Sequence, residues 1–312
     1  MSVTVLDAAL GGGEDDTFAG RSTLASAWVR LRRDRVAMIS VAVLVALVVI
    51  AVAAPLIAQA VGWTPTQQDR THGLTPDGLP MAPSARHLLG TDNLGRDILV
   101  RTVYGARVSL LVGVVATGLA TIIGVVVGVL AGYSSGAVDT GLSRLMDVVL
   151  SFPFLLFAIA LVSIVGPGLS ISVVVITFFS WAGIGRVVRG QTLSLKHREY
   201  VDAARVGGSG AWRILTRDIL PGVAGPVIAY TTLIIPGMIA TEAALSYLGV
   251  GVRPPTPSWG QMLSTATTWF RADPMYVLVP GGLLFATLLA FVLVANGVRR
   301  VLDPRQRTEV LR

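Results

Sequence analysis

The sequence predicts an all-α membrane protein with six transmembrane helices. Hydrophobic residues make up 53% of its 312 positions and charged residues only 14%, whereas soluble domains are about one-quarter charged. Six apolar runs, approximately 36–59, 107–132, 145–166, 169–188, 223–248 and 275–297, can each cross the roughly 30 Å of hydrocarbon that about 20 helical residues span. The basic residues between these runs alternate in density, and that alternation sets the orientation. The segments assigned to the cytoplasm hold 18 Lys and Arg: five in residues 1–35, Arg144, seven in 186–217 and five after 298. The external segments hold seven, five in 70–107 plus Arg253 and Arg271. Basic residues concentrate on the cytoplasmic side of membrane proteins, so both termini are expected there.

Residues 1–35 read as a cytoplasmic N-terminal tail. Gly11-Gly12-Gly13 and Glu14-Asp15-Asp16 show no periodicity, and Arg30, Arg32, Arg33 and Arg35 anchor the start of the first span. The first helix, residues 36–60, contains Ala51-Val52-Ala53, a small-x-small pattern of the kind signal peptidases cut. The apolar run is longer than a signal core of about 7–15 residues, so it reads as a retained anchor. Residues 61–106 form an external loop rich in Pro and Gly. Its last part is expected to be an amphipathic helix with Ile98, Leu99, Thr102 and Val103 on one side and Arg96, Asp97 and Arg101 on the other, Asp97 pairing with Arg101 at i, i+4. His72, His87 and Asp92 lack close ligand spacing, so no metal site is expected.

Residues 107–298 read as a core of five further spans. Gly124, Gly128 and Gly132 recur every fourth residue and leave one helix face bare. The seam they form is either a moving contact or static packing, the plainer reading. Arg144 and Asp147 open the third span as an interfacial pair. The fifth span carries Pro226, Pro236 and Gly237 and is expected to kink or break. Glu242 is the one acidic residue deep in an apolar segment, where a carboxylate needs a partner or water. It reads as a structural or outer-gate acid capping amides freed near Pro236-Gly237; the rival is a proton-coupled secondary transporter working through it. Trp259 and Trp269 are expected at the outer interface, and Arg299, Arg300, Arg305 and Arg307 open the cytoplasmic tail, 299–312.

The loop 189–221 contains the longest strongly polar stretch on the basic side, EYVDAARVGGSGAWRILTRDILP from Glu199 to Pro221. Tyr200 to Val206 reads as a short helix with Ala203 and Ala204 open to close approach, broken by Gly207-Gly208. A second helix follows from about Gly210, with Trp212, Leu215 and Ile219 as its apolar stripe and Pro221 as its stop.

Several chemistries are excluded. The chain has no cysteine, and Lys196, its only lysine, follows Leu195 and not a Gly-rich phosphate loop. No enzyme is expected, and any use of ATP falls to another chain. Gly207-Gly208-Ser209-Gly210-Ala211 ends in Ala where a nucleophile elbow needs Gly. The scattered basic residues lack interleaved aromatics, which argues against nucleic acid.

The stretch DAARVGGSGAWRILTRDILP resembles the loop motif of ATP-binding-cassette importer permeases, an EAA triplet followed by a Gly and a terminal Ile-x-Leu-Pro. Asp202, Ala203 and Ala204 stand for the triplet, Gly208 for the glycine, and Leu220 and Pro221 for the ending. Asp202 is shorter than Glu, and Asp218 takes the usual Ile place with Ile219 next to it. HLLGTDNLGRDILVRTVYGARVSL, LMDVVLSFPFLLFAIAL and EAALSYLGVGVRPPTPSWGQML extend the resemblance to the peptide/nickel importer subfamily, in its C-type dipeptide and oligopeptide permeases. The resemblance implies a type I ABC importer permease fold in a bacterial plasma membrane. It also implies a second homologous permease, one or two cytoplasmic ABC ATPase subunits carrying ATP and Mg, and an extracytoplasmic solute-binding protein. Glu199, Tyr200, Asp202, Ala203, Ala204, Arg205, Gly207, Gly208, Leu220 and Pro221 would couple to the ATPases, with no cofactor bound by this chain. Peptides are the implied cargo, with nickel chelates, opines or haem as alternatives.

Overall fold

The computed structural model describes Arg32 and residues 34–302; most of the basic leader and the end of the tail, 303–312, lie outside the described residues. Among the described residues the protein is helical, its only strand-like pairings being the isolated bridges Leu74–Pro80 and Thr91–Asp97.

Helix α1, Arg35–Val52, is capped by Asp34, whose Oδ1 accepts from the Val36 and Ala37 amides at 3.1 and 3.2 Å. Asp34 Oδ2 also receives the Arg300 guanidinium at 2.6 Å, which ties the first helix to the last. The expected first span is interrupted at Ala53, after which α2, Ala54–Val61, continues it, because Pro55 near its start has no N–H to return. The long helix α3, Ile98–Tyr133, follows a loop of 36 residues.

Gly124, Gly128 and Gly132 of α3 lie against α6, Leu169–Leu195. A Cβ at Gly124 would meet Ile184, at Gly128 the Gly185 carbonyl and Val188, and at Gly132 Thr192. Partner numbers rise together along both helices, so α3 and α6 are parallel. Parallel neighbours need a crossover, supplied here by α4, Ala137–Ser151, and α5, Phe154–Val165. The third expected span is therefore not one helix: it is bent by 82° where Pro153 withholds an amide. Among the described residues five helices are long and apolar enough to cross a membrane, or six when this bent pair counts as one span.

After the short helix α7, Glu199–Val206, the chain runs without a break from α8, Ala211–Ile214, through a π turn at Leu215–Ile219 into α9, Leu220–Tyr247. One expectation is corrected here, and one of two alternatives falls. Pro221 does not stop the helix but sits in the first turn of α9, where its ring would clash with the Arg217 carbonyl in a regular α-helix; the wider π turn relieves that clash. Pro226 and Pro236 do not break α9 either, as the neighbouring helices hold it as one span. Helices α10, Trp259–Trp269, and α11, Met275–Leu302, complete the fold, with α11 packed on α1, α9 and α10.

Candidate coupling site

Helix α7 stands at one end of the bundle, where its sequence fits its ends. Glu199 and Asp202 occupy its first turn and Arg205 its last, each charge opposing the helix dipole there. Arg205 Nη1 donates to Asp202 Oδ1 at 2.8 Å, and its guanidinium lies 6.0 Å over the Tyr133 ring at the end of α3. The helix closes through a Schellman turn: the Ser209 amide donates to the Ala204 carbonyl and the Gly208 amide to the Arg205 carbonyl, both at 3.0 Å. Gly208 takes the left-handed position at φ +78°, which explains glycine there without any neighbour's help, since nothing lies within 4 Å of where its Cβ would be.

Val201 is the residue that plugs α7 into the bundle. It is fully buried in one apolar cluster with Trp181, Ile184 and Val188 of α6 and with Ile214 and Ile219. The expected stripe of Trp212, Leu215 and Ile219 is corrected: Ile214 and Ile219 face inward, Leu215 is half-buried, and Trp212 is 78% exposed. The π turn accounts for this, because its wider winding places residues five apart on one face. Ile219, one place after the family's usual Ile, thus fills the buried position, and Asp218 does not.

The same geometry leaves an apolar surface open. Val206 is 91% exposed, and Tyr200, Trp212 and Leu220 are also exposed, with Glu199, Asp202, Ala203, Gly207 and Gly208 between them. Residues 199–208 make one continuous helix and turn; Leu220 and Pro221 lie on the next helix. Val206 and Trp212 were not among the expected coupling residues; the sequence reading placed Trp212 on one apolar stripe with Leu215 and Ile219. Two ion pairs brace the same end: Arg189 grips Asp139 through Nε at 2.6 Å and Nη2 at 2.9 Å, and Arg186 meets Asp147 at 2.6 Å. The expected Arg144–Asp147 pair is present but looser, at 3.8 Å.

Glu242 lies far from α7, near the opposite end of α9, and is fully buried. Its Oε2 accepts from Ser109 on α3 and its Oε1 from Ser246 on α9, both at 2.7 Å. These hydroxyls take the place of the backbone amides near Pro236 that the sequence suggested. Ser246 Oγ in turn accepts from the Val252 amide at 2.9 Å, so the acid fixes the loop after α9. Trp259 is corrected from interface anchor to core: it is fully buried, its Nε1 donates to the Thr102 carbonyl at 3.1 Å, and Gly260 beside it packs directly on the Ala243 backbone.

The 62–97 loop closes this second end through buried charges. The predicted Asp97–Arg101 pair does not form, and the expected amphipathic helix is the buried first turns of α3. Asp97 caps α3 through the Val100 amide at 2.9 Å. Arg101 is fully buried: Nε faces Asp92 at 3.2 Å, Nη1 donates to the Pro65 carbonyl at 2.8 Å, and Nη2 donates to Gln261 at 3.1 Å. Asp92 also holds Arg96 at 2.6 Å. His87 bridges Asp97 at 2.9 Å and Asp69 at 3.4 Å, while Arg86 meets Asp69 at 2.7 Å. Burial works to raise the Asp69 carboxyl, but bonds from the His72 amide, the His87 ring and the Thr71 amide, with the Arg86 charge, hold it below its ordinary value. His72 and His87 both lie against Asp69, at 4.0 and 3.4 Å, while Asp92 faces Arg96 and Arg101, and no three such side chains among the described residues are placed to share an ion.

Residues 124–308 match the sequence model of the binding-protein-dependent transport system inner membrane component family, and residues 22–76 match the N-terminal TM domain of oligopeptide transport permease C. The oligopeptide transport system permease protein OppC of Escherichia coli K12 is 41% identical over 288 residues, covering 92% of this chain and 93% of that protein. The dipeptide transport system permease protein DppC of Bacillus subtilis is 38% identical over 282 residues, covering 90% and 85%. In fold the chain is similar to a subunit of the MetNI methionine ABC transporter solved in inward-facing conformations, with a TM-score of 0.54, 19% identity, and coverage of 66% of this chain and 96% of that one. The chain therefore belongs to the inner-membrane components of binding-protein-dependent transport systems, and within them to the oligopeptide and dipeptide permease type of OppC and DppC.

Proposed function

We propose that this chain is one of two homologous permease subunits of an ATP-driven peptide importer and that α7 is where ATPase motion enters it. The observation that carries the reading is the two-sidedness of α7. Val201 is sunk into the α6 cluster while Tyr200, Val206 and Trp212 stand exposed beside it. A push on the exposed side is delivered to α6, and the glycine seam passes it to α3 because close-packed helices do not compress. Substrate would cross between this chain and the second permease by alternating access, with no covalent step here. ATP and Mg²⁺ belong to the cytoplasmic ATPases, an external binding protein delivers cargo, and both termini face the cytoplasm. Glu199, Asp202, Ala203, Ala204, Arg205 and Gly207 shape the docking helix, Gly208 sets its turn, and Leu220-Pro221 begin the span that moves with it. Glu242 is a structural acid in this reading, since both its oxygens already accept hydroxyl bonds.

Gly208→Val in the reconstituted complex tests this. A β-branched residue in the left-handed region costs about 1–2 kcal/mol and distorts the turn, while the open space around Gly208 leaves the fold intact. ATP hydrolysis is expected to continue with uptake lost; unchanged uptake would sink the proposal.

A further inference from the structure

The break between α4 and α5 lies at membrane depth. Phe154, the first residue of α5, packs edge-on against Phe179 of α6 at 5.3 Å, and Phe157 stacks on Phe178 at 5.6 Å. Phe179 is ten residues from one end of a 27-residue helix, roughly 15 Å along a span of about 40 Å at 1.5 Å per residue. The helix end beside it is open. Ser151, Phe152 and Pro153 are all exposed, Phe152 has extended backbone with no capping bond from its amide, and Pro153 has none to give. The Ser151 hydroxyl satisfies the Val148 carbonyl at 2.8 Å, which leaves the last carbonyls of α4 without a protein donor among the described residues.

Unpaired backbone at this depth is not tolerated against lipid; it persists only inside protein or beside water. A covering protein would have to bring several donors to one point, whereas water supplies them unaided. We propose that the Ser151-Phe152-Pro153 break lines the water-filled transport path. The inference rests on the permease reading above and adds to it a named stretch of path wall, where open carbonyls offer acceptors to the N–H groups of a passing peptide and the neighbouring phenylalanines offer an apolar flank.

The chain's lack of cysteine makes the test direct. Phe152→Cys and Ile122→Cys are each placed in the reconstituted importer with cysteine-free partners. Ile122 is exposed on unbroken α3, close to the level where Gly124 meets Ile184. A charged, membrane-impermeant methanethiosulfonate should modify Phe152→Cys and abolish ATP-driven uptake while sparing Ile122→Cys. Equal reactivity at the two sites, reaction of Phe152→Cys only with a lipid-soluble maleimide, or reaction only after the second permease is removed would each overturn the proposal. ATP-driven uptake by the unsubstituted importer is measured first. Its absence would count against the importer reading itself, while the labelling pattern still decides whether the break meets water.

Discussion

Replacing Gly128 by Ala puts one methyl into the closest part of the α3–α6 seam. Its Cβ would fall 2.5 Å from the Gly185 carbonyl oxygen and 2.7 Å from Val188 Cβ, where ordinary contact begins at 3.4 Å. The parallel helices must therefore separate by about 1 Å, since neither obstacle is the flexible tip of a side chain. Separation also loosens the contacts at Gly124 and Gly132, two turns that share the seam. Overpacking of this kind costs about 1–3 kcal/mol, opposed by up to about 1 kcal/mol from Ala's better helix propensity. Gly118 is the control, because nothing lies within 4 Å of its Cβ position and Gly118→Ala collects the propensity gain alone. Thermal unfolding of the purified chain, followed by tryptophan fluorescence, should place Gly128→Ala several degrees below Gly118→Ala. Equal melting temperatures would refute the rigid-seam argument on which transmission from α7 depends.

Three further outcomes follow from the opposite end. Arg101→Met removes a buried cation and strands the Pro65 carbonyl and Asp92, and breaking a buried pair in this way costs about 3–5 kcal/mol. Hydrogen exchange in 62–97 should quicken, and unchanged protection would contradict the clamp. Glu242→Gln keeps acceptors or donors for Ser109 and Ser246 and should be mild, whereas Glu242→Leu leaves two buried hydroxyl donors without an acceptor at about 1–3 kcal/mol each. If the two variants are equally unstable, the charge of Glu242 matters and not its bonds. Asp69 is held below its ordinary value when folded, so its stabilisation is present at neutral and mildly acidic pH and is lost as pH falls through the depressed folded value, below about pH 4. Exchange protection of 69–73 should show that acid limb, and Asp69→Asn should flatten it.

Apolar run length pointed to the five long apolar helices and to the bent pair α4–α5, because hydrocarbon thickness acts directly on sequence. Gly124, Gly128 and Gly132 were legible for the same reason: a missing side chain every four residues is a surface feature of one helix. Long-range partners were not legible. Arg101 is four residues from Asp97 yet binds Asp92, since Asp97 is already used by the Val100 amide and His87. Trp212 was grouped with Ile219 because a period of 3.6 was assumed, but the buried pair Ile214 and Ile219 has the wider spacing of the π turn. Their spacing of five, read beside Pro221, is the signal that points to it. Helix α7 itself was readable down to Gly208, while its anchor Val201 gave no sign beyond being apolar. The Pro153 break was hidden inside a continuous apolar run, where Phe-Pro alone did not reveal a bend of 82°.

Site-specific cross-linking from α7 tests the central claim most directly. A photoreactive residue is placed at Val206 in the complex reconstituted with its ATPases, with Ile122 as the comparison position. Cross-links from Val206 to an ATPase subunit that change in yield between nucleotide-free and ATP-bound states, with none from Ile122, are the predicted result. The absence of any Val206 cross-link in a complex that hydrolyses ATP and imports peptide would contradict the account.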